Sequence, residues 1–319
     1  MRIRARLYDA DGEDRKVRLS PAVVRELTDQ TLLWVDASDP DANGLRKLVR
    51  TLGLPAHITK GLDRPSEDAR LVRGPDAILL TVLSLNDRGG SVEPVHVDLV
   101  AGRNIIVTIH AKGVEAIESF AVEVGSEVAL GALDAATFLG ALVDTMLSSF
   151  RTRIEVIERE IDELDEEVLR GGERERFLEH VVDLRRRTNA IRRILVDQRE
   201  AFSPLTRPDF ELHEELGRPW PGLIERMESA LQAVDRARQL LLGSSDLYIA
   251  RAAQRSGEVM RVLTIVSAVL LPAIVLAGIM GMNFQLGFFD NPMNFWLVLG
   301  TMIGMAALIL AVARIRDWV

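Results

Sequence analysis

Residues 258–284 have the sequence EVMRVLTIVSAVLLPAIVLAGIMGMNF, and this stretch decides the architecture of the chain. It contains no Asp, Glu, Lys or Arg after Arg261, and the next charged residue is Asp290. A second charge-free stretch extends from there to Arg314. Each is longer than the roughly 20 apolar residues that cross a hydrocarbon core of ~30 Å. The sequence therefore predicts two transmembrane helices and a connecting loop: residues 262–283, residues 295–313 and residues 284–294.

Positive charge flanks the predicted spans on one side only. The connecting loop contains no Lys or Arg, whereas arginines lie at the opposite ends of the spans: Arg251, Arg255, Arg261, Arg314 and Arg316. Positively charged flanks are retained in the cytoplasm. We therefore expect a multi-pass protein of the cell inner (plasma) membrane with the loop outside. Residues 1–261 and the tail at residues 314–319, and so both termini, are expected in the cytoplasm.

The composition argues against several classes of protein. A net charge of -8 makes nucleic acid an unexpected partner, because phosphate binding requires a concentrated basic face. The chain has no cysteine, which excludes disulfides and thiolate metal ligands. Its first residues contain no apolar run, so we expect no cleaved signal peptide. We find no phosphate loop, nucleophile elbow or metal-hydrolase histidine pair, so the protein is not expected to be an enzyme.

Residues 1–132 have the pattern of a mixed α/β domain. Runs rich in β-branched residues predict strands in LLWVD, AILLTVLSL, VHVDLVAG and NIIVTIH. The segments NDRGG and AGRN predict hairpin turns between the last three of them. Between the first two strands, DANGLRKLVRTLGL and a segment ending near Asp68 predict helices. Strands that alternate with helices in this way indicate an α/β fold.

Residues 133–261 are predicted to form a helical hairpin and a stalk. Three helical patterns cover residues 133–169, 173–202 and 221–283, and the last continues into the first span. At ~1.5 Å per residue the third helix would be roughly 95 Å long, as a stalk between a cytoplasmic domain and the membrane requires. Acidic residues in 155–168 and arginines in 184–193 favour a solvated hairpin of complementary charge. The alternative is an acidic surface that collects divalent cations near a channel mouth.

The residues around the spans offer only oxygen ligands. The loop region carries Asp290 and the carboxamides of Asn283, Gln285, Asn291 and Asn294, and no histidine lies near either span. Oxygen donors suit Mg²⁺, which sheds its water reluctantly. Dehydrated Zn²⁺ prefers imidazole or thiolate, although a hydrated Zn²⁺ discriminates less. If the chain conducts an ion, these ligands favour magnesium.

Gly281, Met282 and Asn283, at the end of the first of two C-terminal spans, resemble the signature of the CorA-type metal ion transporters. That superfamily also includes the ZntB zinc branch. Further matching segments lie upstream in the same order: LLWVDASDP, LVRTLGLP, NIIVTIH, IDELDEEV and LRRRTNAIRRILVDQRE. The resemblance covers nearly the whole chain and extends through residues 258–284.

The resemblance implies a homopentameric funnel with an α/β/α cytoplasmic domain and a pore lined by the first span. A ring of five Asn283 carboxamides would face the hydrated ion at the outer mouth, with Asp290 nearby raising the local cation concentration. Divalent ions between cytoplasmic domains would regulate the pore, and Asp246 is a candidate ligand. The pore-lining positions implied are Gly257, Met260, Leu263 or Thr264, Ser267 or Ala268, and Leu271. Apolar rings at Met260, Leu263 and Leu271 would form a dewetting gate.

The chain departs from the family pattern at three places. Met280 stands where an aromatic residue usually precedes the signature, Gly257 stands where an Asn is frequent, and the basic tail is reduced to Arg314 and Arg316. We expect a pentameric transporter or channel in membrane lipid, with magnesium first and cobalt or zinc next as the transported cation. Two alternatives remain open: proton-coupled zinc transport as in the ZntB branch, and a non-conducting membrane-anchored sensor or scaffold.

Overall fold

The computed structural model describes residues 1–9, 14–64, 66, 68–88, 91–111, 113–124, 135–170, 174–206, 221–282 and 293–316. The chain forms two compact units, Met1–Ser244 and Ser245–Val319. The first contains a β-sheet and most of the helices. The second contains the two apolar helical segments that the sequence predicts as membrane spans.

A seven-stranded sheet organises the described part of the first unit, with the strand order β2-β1-β3-β7-β6-β5-β4. The strands are β1 (Arg2–Asp9), β2 (Arg15–Val17), β3 (Thr31–Ser38), β4 (Arg70–Val72), β5 (Ala77–Arg88), β6 (Ser91–Gly102) and β7 (Ile105–His110). The four strands predicted from the sequence are confirmed as β3, β5, β6 and β7. The three others were not predicted.

The two central strands, β3 and β7, run parallel, and every other described pair is antiparallel. Six consecutive residues of β3 are buried, as expected for a strand that helices cover on both faces. The predicted turns NDRGG and AGRN join antiparallel pairs, β5 with β6 and β6 with β7, so both hairpins are confirmed. Residues 89 and 90 of the first turn lie outside the described residues.

Short helices accompany the sheet: α1 (Pro21–Arg25), α2 (Ala42–Leu52), α3 (Ala56–Leu62) and α4 (Glu115–Glu123). The side chain of Asp41 caps α2 by accepting a hydrogen bond from the Gly44 N–H at 3.3 Å. The helix ends at Gly53, which adopts the left-handed conformation with φ 64°. The predicted second helix ends at Leu62, earlier than the expected position near residue 68.

Helices cover both faces of the sheet and make it an α/β/α sandwich, which confirms the predicted class of fold. On one face, Leu48 of α2 and Ile58 of α3 pack in a core cluster with Leu33, Leu79 and Val107. On the other face, the aromatic ring of Phe138 lies between those of Tyr8, Trp34 and Phe120, with centroid distances of 5.5, 5.5 and 5.2 Å.

Long helices complete the first unit: α5 (Ala135–Arg170), α6 (Arg174–Phe202) and the start of α7 (Pro221–Met280). They match the three predicted helices to within a few residues. The predicted apolar stripe of the acidic α5 segment is buried: Ile154, Ile157, Ile161, Leu164 and Val168. The apolar faces of α6 and α7 are also buried, at Leu184, Ile191 and Leu195 and at Leu223, Met227 and Val234. These stripes hold the hairpin together by burial of apolar surface.

Side chains of α5 and α6 occupy backbone donors of β5 that no neighbouring strand reaches. β4 pairs with residues 79–81 only. Beyond it, the Leu83 N–H donates to Gln198 Oε1 at 3.1 Å, and the Leu85 N–H donates to Ser149 Oγ at 3.1 Å. The open part of this edge is therefore hydrogen-bonded to side chains.

Candidate ion-conduction site

In the second unit, α7 continues to Met280, and α8 (Met293–Ile315) follows. Both helices are long and apolar enough to cross a membrane, and the most apolar window of each has no buried residue. The only proline inside α7 is Pro272, which adds no N–H to the helical ladder. The predicted spans, residues 262–283 and 295–313, fall on these two helices except for the end of the first, and their crossing of a membrane stays a prediction.

Each apolar helix has one stripe of reduced exposure. On α7 it consists of Ile265, Val269, Pro272, Leu276 and Met280, and on α8 of Val298, Met302, Met305, Ile309 and Ala313. The members of each stripe are three or four residues apart, so they lie on one face of their helix. Each helix therefore has one partly shielded face.

The predicted pore-lining residues lie on the other side of α7. They are Gly257, Met260, Thr264, Ser267 and Leu271, again spaced by three or four residues, and all of them are exposed. At ~100° per residue their face is centred roughly 140° around the helix from the stripe of reduced exposure. Leu263 lies beside Thr264 at the border of this face and is also exposed. The implied lining residues thus share one uncovered face of a single helix.

This face contains a shallow depression of about 420 Å³ lined by Leu263, Thr264, Ser267, Ala268 and Leu271. The Thr264 hydroxyl donates to the Met260 carbonyl at 2.7 Å, which leaves its oxygen able to accept. Pro272 offers no N–H to the carbonyl of Ala268, one turn earlier. The depression therefore combines an apolar surface with a few oxygen atoms.

The end of α7 positions the first part of the predicted selectivity loop. The Gly281 N–H donates to the Ala277 carbonyl at 2.9 Å, and the Met282 N–H donates to the Ile279 carbonyl at 3.2 Å. A Cβ on Gly281 would lie 3.3 Å from the Ala277 oxygen, so a side chain would be crowded there. Met282 is exposed. The other predicted ligands, Asn283 and Asp290, lie outside the described residues.

The predicted regulatory ligand Asp246 is an exposed residue of α7. Across the described ranges, no group of three or more His, Cys, Asp or Glu side chains is arranged to hold a metal ion. Any metal bound through Asp246 would need ligands from outside those ranges or from another subunit.

A buried polar network in the first unit was not predicted from the sequence. Asp36 is the next-to-last residue of the buried run of β3 and accepts hydrogen bonds from Thr108 Oγ1 and His110 Nε2 of β7, both at 2.8 Å. Its second oxygen accepts from Arg4 Nε at 2.9 Å. Burial alone would raise the pKa of Asp36, but the bonds from His110, Thr108 and Arg4 outweigh it and lower the pKa. The network ties β1 and β7 to β3.

The pKa of a second carboxyl group, that of Asp98, is shifted in the opposite direction. Burial raises the pKa of Asp98, although Thr81 Oγ1 donates to it at 2.6 Å and Arg70 exerts an opposing attraction. Arg70 is held by Thr81 Oγ1 at 3.0 Å and by the Gly61 carbonyl at 2.9 Å. These contacts join β4, β5, β6 and the end of α3. We assign them a structural role.

Comparisons with known proteins agree with this architecture. The Cobalt/magnesium transport protein CorA of Methanocaldococcus jannaschii is 22% identical over 303 residues, which cover 91% of this chain and 92% of that protein. The protein of the same name from Thermotoga maritima is 32% identical over 159 residues, which cover 46% of this chain and 42% of that protein. The solved M. jannaschii CorA magnesium transporter aligns over 99% of this chain and 98% of that one, with 21% identity and a TM-score of 0.75. That structural likeness shows the fold.

The chain thus combines an α/β/α unit with two helices long and apolar enough to cross a membrane. The model of the CorA-like Mg2+ transporter protein family matches residues 29–314. The chain therefore belongs to the CorA-like Mg2+ transporter family, whose activity is the transport of divalent cations. The recognition made from the sequence is confirmed.

Proposed function

We propose that this chain is one subunit of a homopentameric channel that conducts hydrated Mg²⁺ across the inner membrane. One observation carries the proposal: Gly257, Met260, Thr264, Ser267 and Leu271 form an uncovered face on α7, on the other side of the helix from its stripe of reduced exposure. A two-helix hairpin cannot enclose a pore by itself. Five copies that turn this face to a common axis would enclose one.

The chemistry of the face suits passage of an ion that keeps its water. Rings of Met260 and Leu271, which are 58% and 65% exposed in the single chain, would form apolar constrictions that close by dewetting. Between them, Thr264 and Ser267 offer hydroxyl oxygens to the water around the ion. The only charged residues between positions 257 and 271 are Glu258 and Arg261, and neither belongs to the set that forms the face.

We assign the selection of the transported cation to the outer end of α7. Gly281 and Met282 continue the helix end towards Asn283, whose carboxamide would accept hydrogen bonds from the waters around the ion. Asp290, in five copies, would raise the cation concentration at the outer mouth. A site of uncharged oxygen donors that lacks histidine and cysteine favours Mg²⁺. The two CorA proteins compared above carry cobalt and magnesium in their names.

Orientation and regulation follow from the same proposal. Both termini and the first unit lie in the cytoplasm, because the arginines occur at that end of both apolar helices. Asp246 would meet a divalent cation between neighbouring subunits, so that cytoplasmic Mg²⁺ controls the pore. Its solitary, exposed position in one chain is compatible with a site that only an assembly completes.

The test is Mg²⁺ uptake into vesicles that contain the purified protein and an internal Mg²⁺ indicator. Asn283→Ala should abolish uptake while the pentamer persists in light scattering. Asn189→Ala, which removes an exposed carboxamide from α6 in the first unit, serves as the matched control and should retain uptake. Unchanged uptake in Asn283→Ala would refute the role of the Asn283 ring.

The same vesicles separate the two alternatives. Zinc uptake driven by a proton gradient, with no Mg²⁺ uptake, would replace the proposal with a ZntB-like transporter. If the pentamer is folded but conducts no divalent cation, the remaining interpretation is a membrane-anchored sensor or scaffold.

A further inference from the structure

A depression of about 300 Å³ lies in the first unit between α6 and α7. Residues of both helices line it, among them Arg192, Arg193 and Asp197 of α6 and Arg238 of α7. Arg193 and Asp197 are one helical turn apart, so one face of α6 supplies them. Sites for small molecules are clefts of roughly 300 to 1,000 Å³. The depression therefore has the size of a site for a small ligand.

The charges along the groove between α6 and α7 follow a repeat that stops at the depression. Two arginine–carboxylate pairs one heptad apart join the helices: Arg199 with Glu228 at 3.1 Å, and Arg192 with Asp235 at 2.9 Å. The same step once more brings Arg185 of α6 level with Leu242 of α7, which offers no carboxylate. The arginines of α6 therefore lose their counter-charge on α7 in this part of the groove.

One carboxylate holds two of the guanidinium groups in place. Asp235 Oδ1 lies 2.9 Å from Arg192 Nε and 3.6 Å from Arg238 Nη1. The Nη atoms of Arg192 form no hydrogen bond to a described residue, and Arg193 is exposed and pairs with none of them. With Asp197 and Asp235 set against the three arginines, the depression retains a net positive charge. It therefore offers positioned N–H donors that are not yet used.

Several guanidinium groups around one depression suit a phosphate group. The planar guanidinium presents its donors in a fork that binds pairs of phosphate oxygens. A phosphate monoester carries a charge of about −1.5 to −2 at neutral pH and three acceptor oxygens, so it can engage more than one arginine at a time. A carboxylate has one charge and two oxygens, and Asp235 already fills that role here.

Asp197 gives the depression a second chemical property. It is half-buried and forms no ion pair with Arg193, although the two residues are one turn apart on α6. A carboxylate repels a phosphate, but it accepts hydrogen bonds from hydroxyl groups. Acidic side chains recognise the sugar of dinucleotides in this way. A ligand that satisfies both parts of the depression is a phosphate ester whose carrier has hydroxyl groups.

We infer that the depression between α6 and α7 binds a small soluble phosphate ester with hydroxyl groups, as sugar phosphates and nucleotides are. The phosphate contacts Arg192, Arg193 and Arg238, and a hydroxyl group of the ligand donates to Asp197. All of these residues belong to the unit Met1–Ser244. The site depends neither on the assembly of several copies nor on the conducted ion, so its test is separate from that of Mg²⁺ uptake.

Calorimetric titration of the full-length protein in detergent, freed of divalent cations on a chelating resin, tests the inference. Ribose 5-phosphate should bind more tightly than inorganic phosphate, which lacks the hydroxyl groups, and ribose without its phosphate should bind most weakly. Added salt should weaken ribose 5-phosphate, because the attraction is electrostatic. A titration with AMP separates the two sources of the phosphate ester. Tighter binding of AMP than of ribose 5-phosphate identifies a nucleotide, and equal or weaker binding identifies a sugar phosphate.

Two variants of the depression should change binding in different ways. Arg193→Gln should weaken ribose 5-phosphate about tenfold, because a charge-assisted hydrogen bond is lost. Asp197→Asn should tighten inorganic phosphate, because a repelling charge is removed, and should reduce the advantage of ribose 5-phosphate over inorganic phosphate. A merely structural role of Asp197 would not move the two ligands in this way.

The matched control is Arg25→Gln, which removes another exposed arginine of the first unit, from α1, and should leave ribose 5-phosphate binding unchanged. Circular dichroism checks that each variant is folded, and Arg238→Gln replaces Arg193→Gln if the latter is not. Equal binding of ribose and ribose 5-phosphate, the same loss in Arg25→Gln as in Arg193→Gln, or unchanged affinities in Asp197→Asn would overturn the inference.

Discussion

Arg187 of α6 forms two hydrogen bonds with one carboxylate of α5: Nη1 donates to Glu160 Oε2 at 2.6 Å and Nη2 donates to Oε1 at 3.0 Å. The Glu160 carboxylate also raises the pKa of Arg187, against the effect of burial. This pair realises the complementary charge predicted for the hairpin. Because Glu160 is 36% exposed, solvent screens part of the attraction.

We expect Arg187→Ala to lower the free energy of unfolding by about 1 kcal/mol. The measurement is urea unfolding of the purified protein followed by circular dichroism, in a double-mutant cycle with Glu160→Ala. The matched control is Arg170→Ala, which breaks the exposed pair with Glu166 at 2.7 Å and should change stability by less than about 0.5 kcal/mol. Additive effects of the two substitutions in the cycle would contradict a direct interaction.

Asp36 should make the first unit sensitive to acid. Its pKa is lowered in the folded state, so its stabilising contribution is complete above the unfolded pKa of about 3.9 and disappears as pH falls through the folded pKa. Asp36→Asn should therefore lower stability at neutral pH and flatten its dependence on pH below about pH 5. Unfolding measured over a series of acidic pH values checks this. The exposed Asp29, changed to Asn, is the control and should keep the steep dependence that Asp36→Asn loses.

The absence of cysteine allows the proposed pore face to be probed directly in the natural sequence. Ser267→Cys, on the proposed pore face, should be modified by a charged thiol reagent added in water, and modification should block Mg²⁺ uptake. Leu270→Cys is the matched control, because Leu270 is 51% exposed in the single chain but lies on a different face of α7. Modification and block at position 270 with none at position 267 would place the pore on another face.

Gly278 is seven residues from Leu271 and so continues the proposed pore face, where it offers a steric test of the assembled protein. In one chain a Cβ at this position would meet nothing within 4 Å. Gly278→Leu should therefore leave the fold of the single chain unchanged, whereas five leucines near the pore axis should reduce uptake severely. Circular dichroism and the same vesicle assay separate the two effects. Normal uptake with normal assembly would show that Gly278 faces away from the conduction path.

Residues that follow a strong local pattern were predictable, and contacts between distant segments were not. The apolar periodicity of α5 predicts a helix because one continuous face of that helix is buried. The charge-free stretches of α7 and α8 predict helices because each is long enough to cross a hydrocarbon core. β4 has three residues, which is too short for a periodic signal. β1 was missed although its alternation of arginines with apolar residues is the period-two pattern of a half-buried strand.

In the candidate site, too, local spacing was predictable and contacts between distant residues were not. The lining positions could be named from the family resemblance, and their common face follows from their spacing along one helix. The Asp36 network could not be derived, because His110 is 74 residues away from Asp36 and no spacing rule connects them. The one available signal was that LLWVD and NIIVTIH each place a polar residue near the end of a buried strand.

The occupied edge of β5 has a consequence for the proposed assembly of several copies. An open strand edge is a template to which a strand of another chain can add, and such addition leads to misassembly. Gln198 and Ser149 already accept the N–H groups of Leu83 and Leu85, so an incoming strand would find those two donors taken. Two helix side chains thus keep this edge from pairing with a strand of another copy in the proposed assembly.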